Sequence, residues 1–357
     1  MSYCRALILF VLILFSGYSL ARSCELPSDG RISGNVELNS DCVYEGRIII
    51  STSGTRLDCR GATIDGGNVV DRGIVVARKG NLEKVIVENC KVLNYKQYGI
   101  YVTSAFNDLE KTGKDELWSY DNSPKNIIIR NVVVENSGDG VYFGSHVTYS
   151  ILSNSTIKKS SKVGVYLDHS SAFNRIEGNV IEKNGYGSSS NLREGLAIDS
   201  SSDNTITGNY FINNASGGVF LYKNCGELYS SGRSFFRKNN SDRNKILNNF
   251  FFGEKTAVWI ASRQSKDLTT MDCAASPMRH GEPYFEDFAN ENEVIGNYFC
   301  STNRSVVVEG DNNKVVNNFI SGRLPVVIPK TMREVILHRP SVGNSVAPNF
   351  STSCEIE

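Results

Sequence analysis

Asp168-His169 and Asp199 close two short apolar strands, Gly164-Val-Tyr-Leu and Gly195-Leu-Ala-Ile, and Tyr222-Lys223 closes a third, Gly218-Val-Phe-Leu. Arg193 and Glu194 stand at the entrance to the second strand, and Arg263 follows a fourth, Ala257-Val-Trp-Ile. Ionisable groups of both signs at equivalent points of neighbouring strands can move protons and hold an anion. Three chemistries fit them. In proton abstraction from C5 of a uronate, a cation offsets the adjacent carboxylate while a base removes the proton. His169 is then the base, Tyr222 or Tyr166 the acid, and Lys223, Arg193 or Arg263 the neutraliser. In glycoside hydrolysis Asp168 and Asp199 are the two carboxyl groups, and strands about 4.8 Å apart bring them nearer the retaining separation than the inverting one. In a non-catalytic glycan-binding surface protein the same residues cap strands, pair with one another or hold Ca²⁺. As a cluster they favour catalysis, with proton abstraction first and hydrolysis second.

The strands that position these residues belong to a repeat. The Gly-led motif recurs at Gly73, Gly99, Gly140, Gly164, Gly195 and Gly218, with variants at Ala257 and Ser305. Before each copy stands a second motif of the type Ile176-Glu-Gly-Asn-Val-Ile or Ile206-Thr-Gly-Asn-Tyr-Phe. Units this short cannot close a core singly, so they are expected to stack coil upon coil. The recurring Asn is expected to take left-handed backbone geometry and to bond to the next coil as a ladder. Alternation then sends Val165, Leu167, Leu196, Ile198, Val219 and Leu221 inward. Tyr101, Tyr142, Tyr166, Ala197, Phe220 and Trp259 face outward as a floor on which sugar rings can stack, with Arg263 beside it. Insertions Ser104–Pro124, Asn224–Asp242 and Ser262–Asn290 follow Gly-led strands and line one edge, while Lys183–Glu194 precedes one and stands on the other. Two walls around a floor make a groove.

The opening from Cys24 through Ile32 and Leu38 to Cys42, followed by Leu57-Asp-Cys-Arg-Gly-Ala-Thr-Ile-Asp-Gly66, resembles the first coils of right-handed parallel β-helix proteins of the pectin-lyase-like superfamily. The resemblance runs from Cys24 to about Asn344. It implies an all-β solenoid that holds an extended polysaccharide, and its members include lyases, uronate C5-epimerases, hydrolases and non-enzymatic proteins. Tyr166-Leu-Asp-His169 is similar to the Tyr, Asp and His cluster of the β-helix mannuronan C5-epimerases, although the Asp-Pro-His spacing is missing. The Asn-Thr-Asp, Asp-Asp and Gly-His-Gly signatures of polygalacturonase-like hydrolases are missing too.

Composition narrows the setting. The 357 residues carry 38 Lys+Arg against 38 Asp+Glu, so no global field points to nucleic acid. Arg5, the apolar run 6–15 and Ser19-Leu20-Ala21 describe a signal peptide over 1–21, and no later stretch is long enough to span a membrane. A secreted or periplasmic monomer is expected, with one β-helix domain over 22–357, an N-terminal cap at about 22–56 and an irregular end at about 331–357. Of nine cysteines, eight follow the leader, and Cys24 with Cys42 is the expected pair. No metal-ligating set is read from the sequence, and Ca²⁺ stays open as a cofactor. His280 and His338 rank below the cluster, and no phosphate loop, dinucleotide fingerprint or nucleophile elbow occurs.

Overall fold

The computed structural model describes residues 22–354, apart from 107–109, 111–113, 233, 235, 265 and 322–324. The expected signal peptide at 1–21 lies outside the described residues. Three parallel sheets of 12, 10 and 11 strands wind around one core, which makes the chain a right-handed parallel β-helix. Among the described residues, the short helices Glu116–Asp121 and Met332–Leu337 and the antiparallel pair Met278–Arg279 with Glu282–Pro283 lie outside the winding.

Alternation explains the core. Val165 pairs with Leu196 and Leu196 with Val219, while Leu167, Ile198 and Leu221 form the next inward column, and all six are fully buried. Each such side chain contributes about 1.5–3 kcal/mol by leaving water. On another wall Phe211, Phe251 and Phe299 stack inside with centroids 4.9 and 5.0 Å apart. The leading glycines answer a close approach between coils. A Cβ on Gly140 would stand 2.5 Å from the carbonyl oxygen of Gly164, and one on Gly164 would stand 2.6 Å from that of Gly195. At Gly140 and Gly164 no larger residue fits without moving a backbone, whereas farther along the same column Ala257 and Ser305 are accommodated.

The Asn turns divide a task that the sequence reading gives to one residue. Asn179, Asn209, Asn249, Asn297, Asn318 and Asn349 form one ladder, buried as far as Asn318, in which each side-chain oxygen after the first accepts the backbone N–H of the Asn one coil before it, and that of Asn179 accepts from Ser155. The left-handed geometry falls on the residue just before, Gly178, Gly208, Asn248, Gly296 or Asn317. A second ladder runs through Asn174, Asn204, Asn244, Asn292, Asn313 and Asn344. A third, Asn184 to Asn214, ends on the carboxyl group of Glu254.

The stretch 22–56, expected as a cap, already supplies strands to all three sheets, because Ile48 and Ile50 point inward and are fully buried. The Cys24–Cys42 disulfide forms as expected. Cys59–Cys90, Cys225–Cys273 and Cys300–Cys354 join it. Cys225–Cys273 ties the insertion after Tyr222 to the one after Ile260. Among the described residues no helix is long and apolar enough to cross a membrane.

Candidate active site

The outward column of the Gly-led sheet has the expected register: Tyr101 pairs with Tyr142, then Tyr166, Ala197, Phe220 and Trp259 follow on successive coils. Its exposure departs from the expectation. Phe220 is 4% exposed and Ala197 is fully buried, packed with Val163 and Tyr222 and flanked by Tyr166 and Trp259. The other rings are half-buried and meet each other: Tyr142 stacks on Tyr166 at 4.8 Å, and Phe220 meets Trp259 edge-on at 5.5 Å. Trp259 donates its indole N–H to Glu309 at 2.8 Å and lies under Arg304. The column is therefore half-buried along most of its length and closed at Ala197 and Phe220, where Val163, Tyr222, Tyr166 and Trp259 pack together with them.

Asp168, Asp199 and Tyr222 do share the next outward positions, but the two carboxylates serve a buried knot. Asp199 is fully buried and accepts hydrogen bonds from Tyr166 Oη (2.7 Å), Ser200 Oγ (2.8 Å) and the Asn224 N–H (3.0 Å). Burial pushes its carboxyl up. Asp168 accepts the N–H of His169 at 2.8 Å and lies 3.7 Å from the guanidinium of Arg237. Burial works against its charge, yet its contacts with His169 and Arg237 outweigh this and hold the carboxyl well below the usual range. His169 is 4% exposed, with Nδ1 3.2 Å from Asp168 and 2.5 Å from Arg237. Burial, aided by the charge of Arg237, lowers its pKa to about 3, so the imidazole is neutral near pH 7. A ring held so deep and so weakly basic does not suit the base assigned to it from sequence.

Lys223 also turns away from the expected role. Its backbone N–H donates to Asp287 at 2.6 Å, its ammonium donates to Asn240 at 3.0 Å, and burial lowers its pKa. It belongs to the root of the insertion, not to an anion site.

Arg193, Tyr222 and Arg263 do come together, with Glu194 and Lys266, around a cavity of about 360 Å³. One wall is the Lys183–Glu194 enlargement and the other the insertion after Ile260, the two walls that the repeat spacing implies. Arg193 donates to both oxygens of Glu194, at 3.2 and 3.1 Å, and to Tyr222 Oη at 3.1 Å. Tyr222 Oη lies 3.2 Å from Glu194 and 3.5 Å from Tyr166 Oη. Arg263 sits 4.8 Å above the Tyr222 ring and is paired with Glu227 at 2.6 Å. Burial raises Glu194, but the charge and hydrogen bonds of Arg193 outweigh it, so the carboxyl is held ionised. Burial pushes the Tyr222 phenol well up.

Arg237 and Lys266 are absent from the sequence reading. Both sit in insertions without repeat, where no periodicity assigns a direction, and the only signal was their place in insertions that follow site strands. His280 is exposed in the turn between Met278–Arg279 and Glu282–Pro283. Among the described residues no three His, Cys, Asp or Glu side chains gather as metal ligands.

The chain matches the family model for a right-handed β-helix region over residues 72–239. No curated protein matches it. Among solved structures it is similar to a Geobacillus virus E2 protein, ORF18, at 12% identity and TM-score 0.45, covering 84% of this chain and 52% of that one. The A-module of a mannuronan C-5 epimerase from Azotobacter vinelandii is similar at 14% identity and TM-score 0.39, over 94% and 88% of the two chains. The catalytic unit of an α-1,3-glucanase from Streptomyces thermodiastaticus is similar at 13% identity and TM-score 0.48, over 90% and 61%. The chain thus spans about half the length of the viral protein. Likeness at these identities says nothing of the reaction.

Proposed function

We propose that this chain, a right-handed parallel β-helix of the pectin-lyase-like fold, is a secreted carbohydrate-active enzyme that abstracts the C5 proton of a uronate unit in an extended polysaccharide. The observation that carries the reading is the meeting of Arg193, Arg263 and Lys266 with the Tyr222 phenol and the Glu194 carboxylate in a single cavity on the outward face, with Glu227 and Asp267 also in its lining. The C5 proton of a uronate becomes acidic enough to remove only when the neighbouring carboxylate is offset by positive charge; Lys266 supplies it together with Arg193 and Arg263, which are paired with Glu194 and Glu227. Tyr222 Oη takes the proton as it passes its own to Glu194, 3.2 Å away. Arg193, donating to Oη, and Arg263, over the ring, stabilise the passing phenolate. The electron pair of the C5–H bond moves into the substrate carboxylate as an enolate. Its collapse expels the 4-O substituent in a lyase, the leaving oxygen taking the proton that Glu194 returns through Tyr222, or takes a proton from solvent on the opposite face in an epimerase, Glu194 releasing its own to solvent. The four disulfides and the expected leader support action in an oxidising compartment outside the cytosol.

A hydrolase is the second reading, favoured by the opposite directions in which Asp168 and Asp199 are shifted. Both oxygens of Asp199 are already bonded inside the protein, so the insertion carrying Arg237 and Asn224 would have to move first.

Incubation with a panel of uronate-containing and neutral glycans separates the readings. Unsaturated product absorbance, or solvent-hydrogen exchange at C5 without cleavage, is expected from uronates, and Tyr222→Phe should remove most of it while leaving the fold intact. Saturated reducing ends, or full turnover in both Tyr222→Phe and Glu194→Gln, would overturn proton abstraction at this cavity.

A further inference from the structure

One corner of the coil shows a column of turn residues in the left-handed conformation: Asn126, Tyr149, Phe173, Asp203, Arg243, Glu291 and Asn312 on successive coils. Parallel bridges between the residues just before them, Lys125 to Thr148 to Ala172 to Ser202, fix the backbone of the first part of this column. Asn, Asp and Gly take such geometry readily, whereas a bulky aromatic does so at a steric cost. Five of the seven positions carry polar residues. The two that do not, Tyr149 and Phe173, are neighbours, and their rings stack in parallel at 5.1 Å while remaining 56% and 48% exposed.

These two aromatics line a cleft of about 680 Å³ beneath the helix Glu116–Asp121. Leu117, 70% exposed, and Tyr120 face it from the helix, and the bidentate ion pair of Arg243 with Asp203 (2.8 and 2.8 Å) borders it one coil beyond Phe173. Packing does not account for the pair, since neither ring is covered and neither belongs to the core. An apolar ring face next to fixed donors and acceptors matches the two sides of a sugar, whose C–H face is apolar and whose hydroxyls both donate and accept.

We propose that this cleft is a second glycan-binding site, separate from the Tyr222 cavity, in which a sugar unit of the same polysaccharide stacks on the Tyr149/Phe173 pair and bonds to Asp203 and Arg243. It rests on the reading of the chain as polysaccharide-binding. A second foothold on the same rod raises the effective concentration of a long chain at the first without altering the chemistry there.

Tyr149→Asn and Phe173→Asn, singly and together, place in the column a residue that it uses elsewhere, so the fold is expected to keep its melting temperature or gain slightly. Affinity for polysaccharide, read by retention in glycan-containing gels and by titration calorimetry, should fall about tenfold in the double variant, while turnover of short oligosaccharides stays unchanged. Unchanged affinity, or a lowered melting temperature with unchanged affinity, overturns the second site. A parallel pair, Arg193→Ala and Lys266→Ala, keeps the two readings apart. If only these lose binding, the cleft fails and the cavity stands; if only the Tyr149 and Phe173 variants lose it, the cleft stands and the cavity fails. A parent protein retained by no glycan in the panel refutes both, and retention of a protein ligand alone refutes the cleft as a sugar site.

Discussion

Glu254 ends a ladder of amides with a carboxyl group, and replacing it by Gln tests what that costs. Its Oε1 accepts the backbone N–H of Asn214 at 3.2 Å and the side-chain amide at 2.8 Å, as an Asn oxygen would, while Oε2 is buried with no hydrogen bond among the described residues. The residue is fully buried, and burial raises its pKa from 4.5 to about 8, against the lowering effect of the Asn214 bonds. Between those values the folded chain holds a proton that the unfolded chain has released, so stability falls as pH rises. The contribution is complete below about pH 4.5 and gone above about pH 8. At about 1.4 kcal/mol per pH unit the full interval is worth roughly 5 kcal/mol, an upper figure, with over half of it already lost at pH 7. Glu254→Gln keeps the acceptor and the shape and cannot titrate. Urea unfolding of parent and variant at pH 5, 7 and 9 should show near-equal stability at pH 5 and a growing advantage for the variant up to pH 9. Parallel stability curves across that range would refute a neutral, buried Glu254.

Ile198→Ala should destabilise the chain by about 2–5 kcal/mol in denaturant unfolding, because it empties a fully buried site between Leu167 and Leu221. Asn209→Ala removes the side chain that donates to the Ile176 carbonyl at 2.7 Å and accepts the Asn179 N–H at 3.0 Å. It should cost about 1–3 kcal/mol for each group left unpaired, seen as faster amide hydrogen exchange in the two coils on either side. Arg237→Met should cost about 3–5 kcal/mol by leaving Asp168 and Asp199 without their buried cation, and it should raise the titration midpoint of His169 in a proton NMR titration.

The repeat was legible because its physics is periodic. A period of two picks the inward residue, and a column of Gly marks where coils touch, so Leu167, Ile198 and Leu221 could be placed without coordinates. The columns carrying Tyr166, Phe220, Asp168 and Asp199 were legible for the same reason. Their environment was not, since it depends on what the insertions put over them. Arg237 comes from such a segment, and its arrival turns Asp168 and His169 from open groups into the wall of a buried ion cluster. Lys266, from another, completes the cation set around Tyr222. The Asn turn misled in a smaller way: two adjacent residues share one sequence signal, and spacing alone does not say which bends the chain and which bonds to the next coil.

The three sheets and the Asn ladders join each coil only to the one before and the one after. Each finished coil therefore presents a row of unsatisfied N–H and C=O groups, including the backbone and side-chain N–H of its ladder Asn, ready for the Asn oxygen of the incoming turn, which is a mould for the next segment of the chain. A chain emerging N-terminus first can solidify in the order of its synthesis, every new turn copying the outline beneath it, while the long excursions after Ser104, Tyr222 and Ile260 settle on the outside once the rod has grown past them.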